Sequence, residues 1–157
     1  MNDKQIRLLT TAGVLSAVIF LLTLLVRIPI PVGYLNLGDA GVFLVAILLP
    51  AGYAALCAGV GSALADLVGF PLYAPVTFAV KGLAALVFAL LFRKLPGKLR
   101  YLAFVAVLIV PLGYFAFEII TEGAVAWADL PLNLLQAAVG AGLALALDRA
   151  TDGRFRL

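Results

Sequence analysis

DAGVFLVAILLPAGYAALCAGVGSALADLV, residues 39–68, reads either as one long helix or as two shorter ones, and the choice decides the fold. At 1.5 Å per residue a single helix here would run about 45 Å. Pro50-Ala-Gly52 in its middle offers a break. Split there, the stretch makes a short helix over 39–49 and a second over 53–68. The whole chain has 157 residues, 65% of them hydrophobic and 12% charged, and a mean hydropathy of +1.18. Soluble domains average about 45–50% apolar and about 25% charged. A soluble core of this size cannot hide so much apolar surface, so the chain is expected to be an integral membrane protein. Its apolar stretches have helical rather than β-barrel length. A 45 Å helix would overshoot a hydrocarbon core of about 30 Å.

The basic residues settle the count. Lys4 and Arg7 lie at the start, Arg93, Lys94, Lys98 and Arg100 around Pro96-Gly97, and Arg149, Arg154 and Arg156 at the end. Six helices put these three clusters, nine of the eleven basic residues, on one side of the membrane. Five would put the 93–100 cluster outside, against the positive-inside rule. The expectation is therefore an all-α bundle of six transmembrane helices in a single domain spanning 1–157, with both termini cytoplasmic. Its helices cover about 5–26, 39–49, 53–68, 75–92, 101–121 and 131–147. Residues 27–38, with two prolines and two glycines, read as a long loop. Lys4 and Arg7 before an apolar run resemble a signal peptide, but no small-x-small cleavage site follows, so the run is read as a retained helix.

Other classes drop out. A net charge of +3 is accounted for by membrane anchoring, not by nucleic acid. One cysteine, Cys57, excludes an internal disulfide and a cysteine metal cluster. The chain has no histidine, so zinc–histidine sites and serine–histidine triads are excluded. No metal or cofactor is expected.

The direction of the helices places the remaining polar residues in the outer half. A charge at the bilayer centre costs about 2.5–3.5 kcal/mol on insertion scales, so such groups face the bundle interior and pair. Lys81 reads either as an internal strut paired with Glu118 or Asp66, or as a ligand contact. Asn133 and Gln136, on one helix face, are either ligand contacts or interhelical hydrogen bonders. Tyr34 and Tyr114 belong to a set of aromatics at this level that can stack a flat ring or form an interfacial belt; Trp127 fits the belt. Asp39 reads as the N-cap of helix 2 at the outer surface, Asp66 as a structural anchor for the turn after helix 3, and Glu122 and Asp129 as solvated loop charges. On helix 1, Ala12, Gly13, Ser16 and Ala17 place small residues at i and i+4 twice, which suits close packing with another helix of this chain or of a partner.

Five segments, Gly33-Tyr-Leu-Asn-Leu-Gly-Asp39, Gly61-Ser-Ala-Leu-Ala-Asp66, Tyr73-Ala-Pro-Val-Thr77 with Lys81-Gly82, Gly113-Tyr114 with Glu118, and Pro131-Leu-Asn133-Leu-Leu-Gln136, together resemble the S components of energy-coupling factor (ECF) transporters. The resemblance is to the riboflavin-transporter-like branch and covers nearly the whole chain in order. It implies a six-helix subunit of the prokaryotic plasma membrane that captures a vitamin or a related precursor from outside, with the 27–38 loop as a lid. It implies pocket residues Asn36, Lys81, Glu118, Asn133 and Gln136. It implies docking through helix 1, at Ala12/Ser16 and Gly13/Ala17, onto a transmembrane coupling protein carrying two ATPases, and release by toppling in the membrane. The alternatives are a stand-alone small-solute transporter without ATPase partners and an intramembrane acid–base enzyme.

Overall fold

A computed structural model describes residues 2–31 and 33–157; Val32 of the expected loop lies outside the described residues. Helix α1 (Asp3–Leu25) opens on a capping box. The Asn2 side chain accepts from the Gln5 amide at 2.9 Å and the Gln5 side chain accepts from the Asn2 amide at 3.0 Å, which satisfies two otherwise orphaned donors. Within the segment expected as a long loop lies an antiparallel hairpin, β1 (Arg27–Pro29) and β2 (Tyr34–Asn36). Ile28 faces Leu35 across the ladder, and Gly33 supplies the positive φ (93°) the turn needs.

The 39–68 stretch does break at Pro50, giving α2 (Gly38–Leu48) and α3 (Ala51–Gly69). Proline fits here because it precedes the first turn of α3 and has no amide to leave unpaired. A 3-10 turn (Pro71–Tyr73) leads to α4 (Ala74–Lys94). The expected helix over 101–121 divides into a 3-10 segment (Gly97–Leu108) and α5 (Ile109–Thr121). Pro111 falls in the first turn of α5, where its missing N–H leaves no bond unmade. Helix α6 (Ala126–Ala150) begins before Pro131, not at it. Its extra turn carries Asp129 into the bundle, so this residue is fully buried and not a solvated loop charge. Glu122 is exposed, as expected.

Among the described residues the result is an all-α bundle of six α-helices. Five helical segments among the described residues are long and apolar enough to cross a membrane; α2, at 11 residues, is shorter. It spans about 16 Å, so it covers only part of a bilayer. The outward side chains are apolar, with Leu25 73% and Ile120 83% exposed, as lipid-facing positions should be.

Neighbour contacts give the directions. Thr23 lies beside Gly38 and Ile19 beside Gly41, so α1 and α2 are antiparallel. Ser16 lies beside Gly61 and Arg27 beside Gly69, so α1 and α3 are parallel. The three basic clusters accordingly meet at one end. There Arg93 donates to the carbonyls of Leu48 and Leu157, both at 3.1 Å. Arg100 and Arg156 sit 5.5 and 5.3 Å from the Phe92 ring, and Arg149 lies 5.4 Å from that of Tyr101. Arg156 is also ion-paired with Asp148. Burial beneath this end is apolar, built around Phe43, Phe88 and Ile47.

Close helix approach depends on glycine. A Cβ on Gly61 would lie 2.6 Å from the Ser16 carbonyl oxygen. We expect Gly61→Val to cost about 1–3 kcal/mol by forcing α1 from α3. Gly142→Ala, where nothing lies within 4 Å, should be stabilising by up to about 1 kcal/mol. Thermal unfolding midpoints in detergent check both signs.

Candidate functional site

At the end of the bundle opposite the basic clusters, the hairpin closes over a pocket. Ile30, Gly33, Tyr34 and Asn36 come from the hairpin, Asp66 from α3, Lys81 from α4, Tyr114 and Glu118 from α5, and Asn133 and Gln136 from α6; Phe70 and Tyr73 complete the lining. All seven residues expected from the sequence as substrate contacts are in this one lining. The enclosed volume is about 40 Å³.

Lys81 in the pocket floor is ion-paired with Asp39, which lies beneath the lining; the two side chains are 5% and 1% exposed. This corrects two expectations. Lys81 pairs with neither Glu118 nor Asp66, and Asp39 is not a surface N-cap. The cause is the shortness of α2. The hairpin takes up the end of this stretch away from the basic clusters, so α2 starts at the level of Lys81, inside the bundle. Its first amides are served by Asn36 instead, whose side-chain oxygen accepts from the Gly38 N–H at 2.7 Å. Gly140 allows this start, since a Cβ there would lie 2.7 Å from the Asp39 Cβ.

Gln136 extends the pair towards the hairpin. Its Nε2 donates to Asp39 Oδ2 at 2.8 Å, and its Oε1 accepts from the Asn36 backbone N–H at 2.6 Å. A carboxylate can only accept, so Asp39 fixes which end of the amide faces the hairpin. A second network holds the other side. Asp66 accepts from the hydroxyls of Tyr34 and Thr77. Thr77 has then used its one hydrogen, so the Tyr114 hydroxyl, 2.8 Å away, donates to it. Burial and the Asp66 carboxylate raise the Tyr34 pKa, which keeps the phenol a donor. The Arg27 guanidinium stacks 4.3 Å from the Tyr34 ring centroid and donates to the Ala65 carbonyl at 2.9 Å. The hairpin is thus tied down at Arg27, Tyr34 and Asn36.

Two pocket residues stand outside these networks. Glu118 is 2% exposed, and its Oε2 has no hydrogen-bond partner among the described residues. Asn133 is 7% exposed and lines the same space. Lys81 Nζ also lies 5.3 Å from the Tyr114 ring centroid.

Residues 3–151 match the family described as "ECF-type riboflavin transporter, S component". The chain belongs to that family. It is therefore a multi-pass cell-membrane protein and a transporter subunit, and the family is not one of enzymes. An uncharacterized protein from Pyrococcus woesei, described as lying "in gap 3'region", is 52% identical over 62 residues, which cover 38% of this chain. The chain spans 42% of the length of that curated relative.

The helix 1 residues of this S component divide. Ala12 is buried, and Ser16 Oγ donates to the Cys57 carbonyl at 3.1 Å, so Ser16 packs on α3 of the same chain. Gly13 and Ala17, with Ser16 and Phe20, line a shallow apolar groove of about 620 Å³ whose other wall is Val60, Leu64, Leu67 and Val68 of α3.

Sequence reading missed Asp39 as a site residue. A signal was present: Asp39 opens an apolar helix too short to cross a bilayer, so its start had to lie inside the bundle. We expect Gln136→Leu to leave the Asn36 N–H unpaired, and loss of one hydrogen bond is worth about 1 kcal/mol. Hydrogen exchange at the Asn36 amide should accelerate by roughly fivefold or more, with the α3 and α4 amides unchanged.

Proposed function

We propose that this S component captures a flat-ringed vitamin at the extracellular face and delivers it through a transmembrane coupling protein driven by two ATPases. The observation that carries the reading is the convergence of Tyr34, Asn36, Lys81, Tyr114, Glu118, Asn133 and Gln136 in one pocket beneath the hairpin, at the end opposite the basic clusters. By the positive-inside rule the basic end, with both termini, is cytoplasmic, so the pocket opens outward. Riboflavin, which the family's description names, is the first ligand to test. Tyr34, Phe70, Tyr73 and Tyr114 supply ring faces, while Glu118 and Asn133 supply the polar atoms that no internal hydrogen bond uses.

A pocket of about 40 Å³ is far below the about 300–1,000 Å³ of sites for drug-sized ligands. Binding therefore includes displacement of the hairpin, which is held by a few polar contacts. Tyr34 and Asn36 move with it, so they close on the ligand after entry. Gly13 and Ala17 face the groove that suits a close helix–helix contact with the coupling protein.

Purified protein is expected to bind riboflavin without turning it over, and Asn133→Ala should weaken that binding about tenfold or more while the thermal midpoint stays within a few degrees. Calorimetry or flavin fluorescence quenching reads this. Unchanged affinity would remove Asn133 from the site. Ala17→Phe should leave binding intact and abolish ATP-dependent uptake in vesicles holding the coupling module. Uptake without that module would favour a stand-alone transporter.

A further inference from the structure

The Lys81–Asp39 pair bears on which ligands the pocket accepts, a question that rests on the binding reading above. Lys81 is the only cationic side chain among the described residues lining the pocket, and by itself it would attract a carboxylate or phosphate. Its charge is already matched. Asp39 holds it in a buried ion pair, and Gln136 fills the other oxygen of that carboxylate. Asp66 and Glu118 then remain as carboxyl groups in the lining, and among the described residues neither forms an ion pair. Arg27 lies outside the lining, behind the Tyr34 ring. The pocket thus offers carboxyl oxygens and, among the described residues, no unmatched cation, in a setting where low dielectric lengthens the reach of a ligand's charge.

We propose that Asp39, by neutralising Lys81 from beneath, makes this pocket select uncharged, hydrogen-bond-donating ligands and reject phosphorylated or carboxylated ones. Asp39 is not itself in the lining, so it acts through Lys81 as a specificity-determining, positioning residue. A merely structural Asp39 would change the affinity for all ligands alike. A charge-setting Asp39 changes the ratio between a neutral ligand and its anionic counterpart.

The test compares riboflavin with riboflavin 5′-phosphate, which share the ring and differ by the charged group. Full-length protein in detergent should bind riboflavin tighter by roughly tenfold or more. Asp39→Asn frees the Lys81 charge and should narrow that ratio by about tenfold. The double variant Asp39→Asn/Lys81→Met removes both charges and should restore it. Replacing a buried ion pair by neutral groups is often tolerated, so the double variant guards against a single variant that fails to fold, and the wild-type ratio needs no variant at all. Equal or tighter wild-type binding of the phosphate overturns the proposal. So does an unchanged ratio in Asp39→Asn, or a double variant that stays as permissive as the single one. Binding of neither flavin overturns the riboflavin reading and the charge rule for flavins together, whereas binding of both equally overturns the charge rule alone.

Discussion

One buried ion pair organises the functional half of this molecule. Lys81 and Asp39 meet inside the bundle, with side chains 5% and 1% exposed. A buried charge that loses its partner costs about 3–5 kcal/mol. That constraint brings α2 to α4 at a single level. Gln136 of α6 then adds a third helix, and the Asn36 amide a fourth element, the hairpin. Positions of the lid and the pocket floor therefore depend on one another through two side chains.

The two ends of the bundle use different chemistry. At the basic end arginines cap carbonyls and stack on Phe92 and Tyr101, above an interior of phenylalanine, alanine and aliphatic side chains. At the other end the interior is polar and held by specific pairs. Membrane helices gain little from burying apolar surface against each other, because lipid is as apolar as the core. Close approach at glycine and alanine, as at Gly59 against Phe78 and Gly61 against Ser16, provides the packing instead. This leaves polar side chains free to shape a site at one end without loosening the other.

Much of this was legible beforehand, and the reasons differ by residue. The break at Pro50, the 93–100 turn and the helical class of the apolar stretches follow from local chemistry: proline geometry, clustered charge and apolar run length. The seven expected contacts share a pocket because desolvation drives intramembrane polar residues to the bundle interior, and helix direction gives their depth. Asp39, Asp129 and the hairpin were misread. Asp39 looked like a cap because aspartate favours that position, and Asp129 looked solvated because Pro131 looked like a helix start. Both are local preferences that a tertiary packing can outweigh. The hairpin strands are three residues each, too short to show alternation.

Composition and charge order alone determined that this chain is a membrane helix bundle with its basic residues at one end, since the cost of placing charge in lipid leaves few other arrangements. Tertiary structure alone decided which carboxylate neutralises Lys81. Asp39, Asp66 and Glu118 lie 42, 15 and 37 residues from Lys81 along the chain, and no local rule ranks them. The choice fell to Asp39 because α2 is short, Gly140 lets it start against α6, and that start lies at the depth of the lysine.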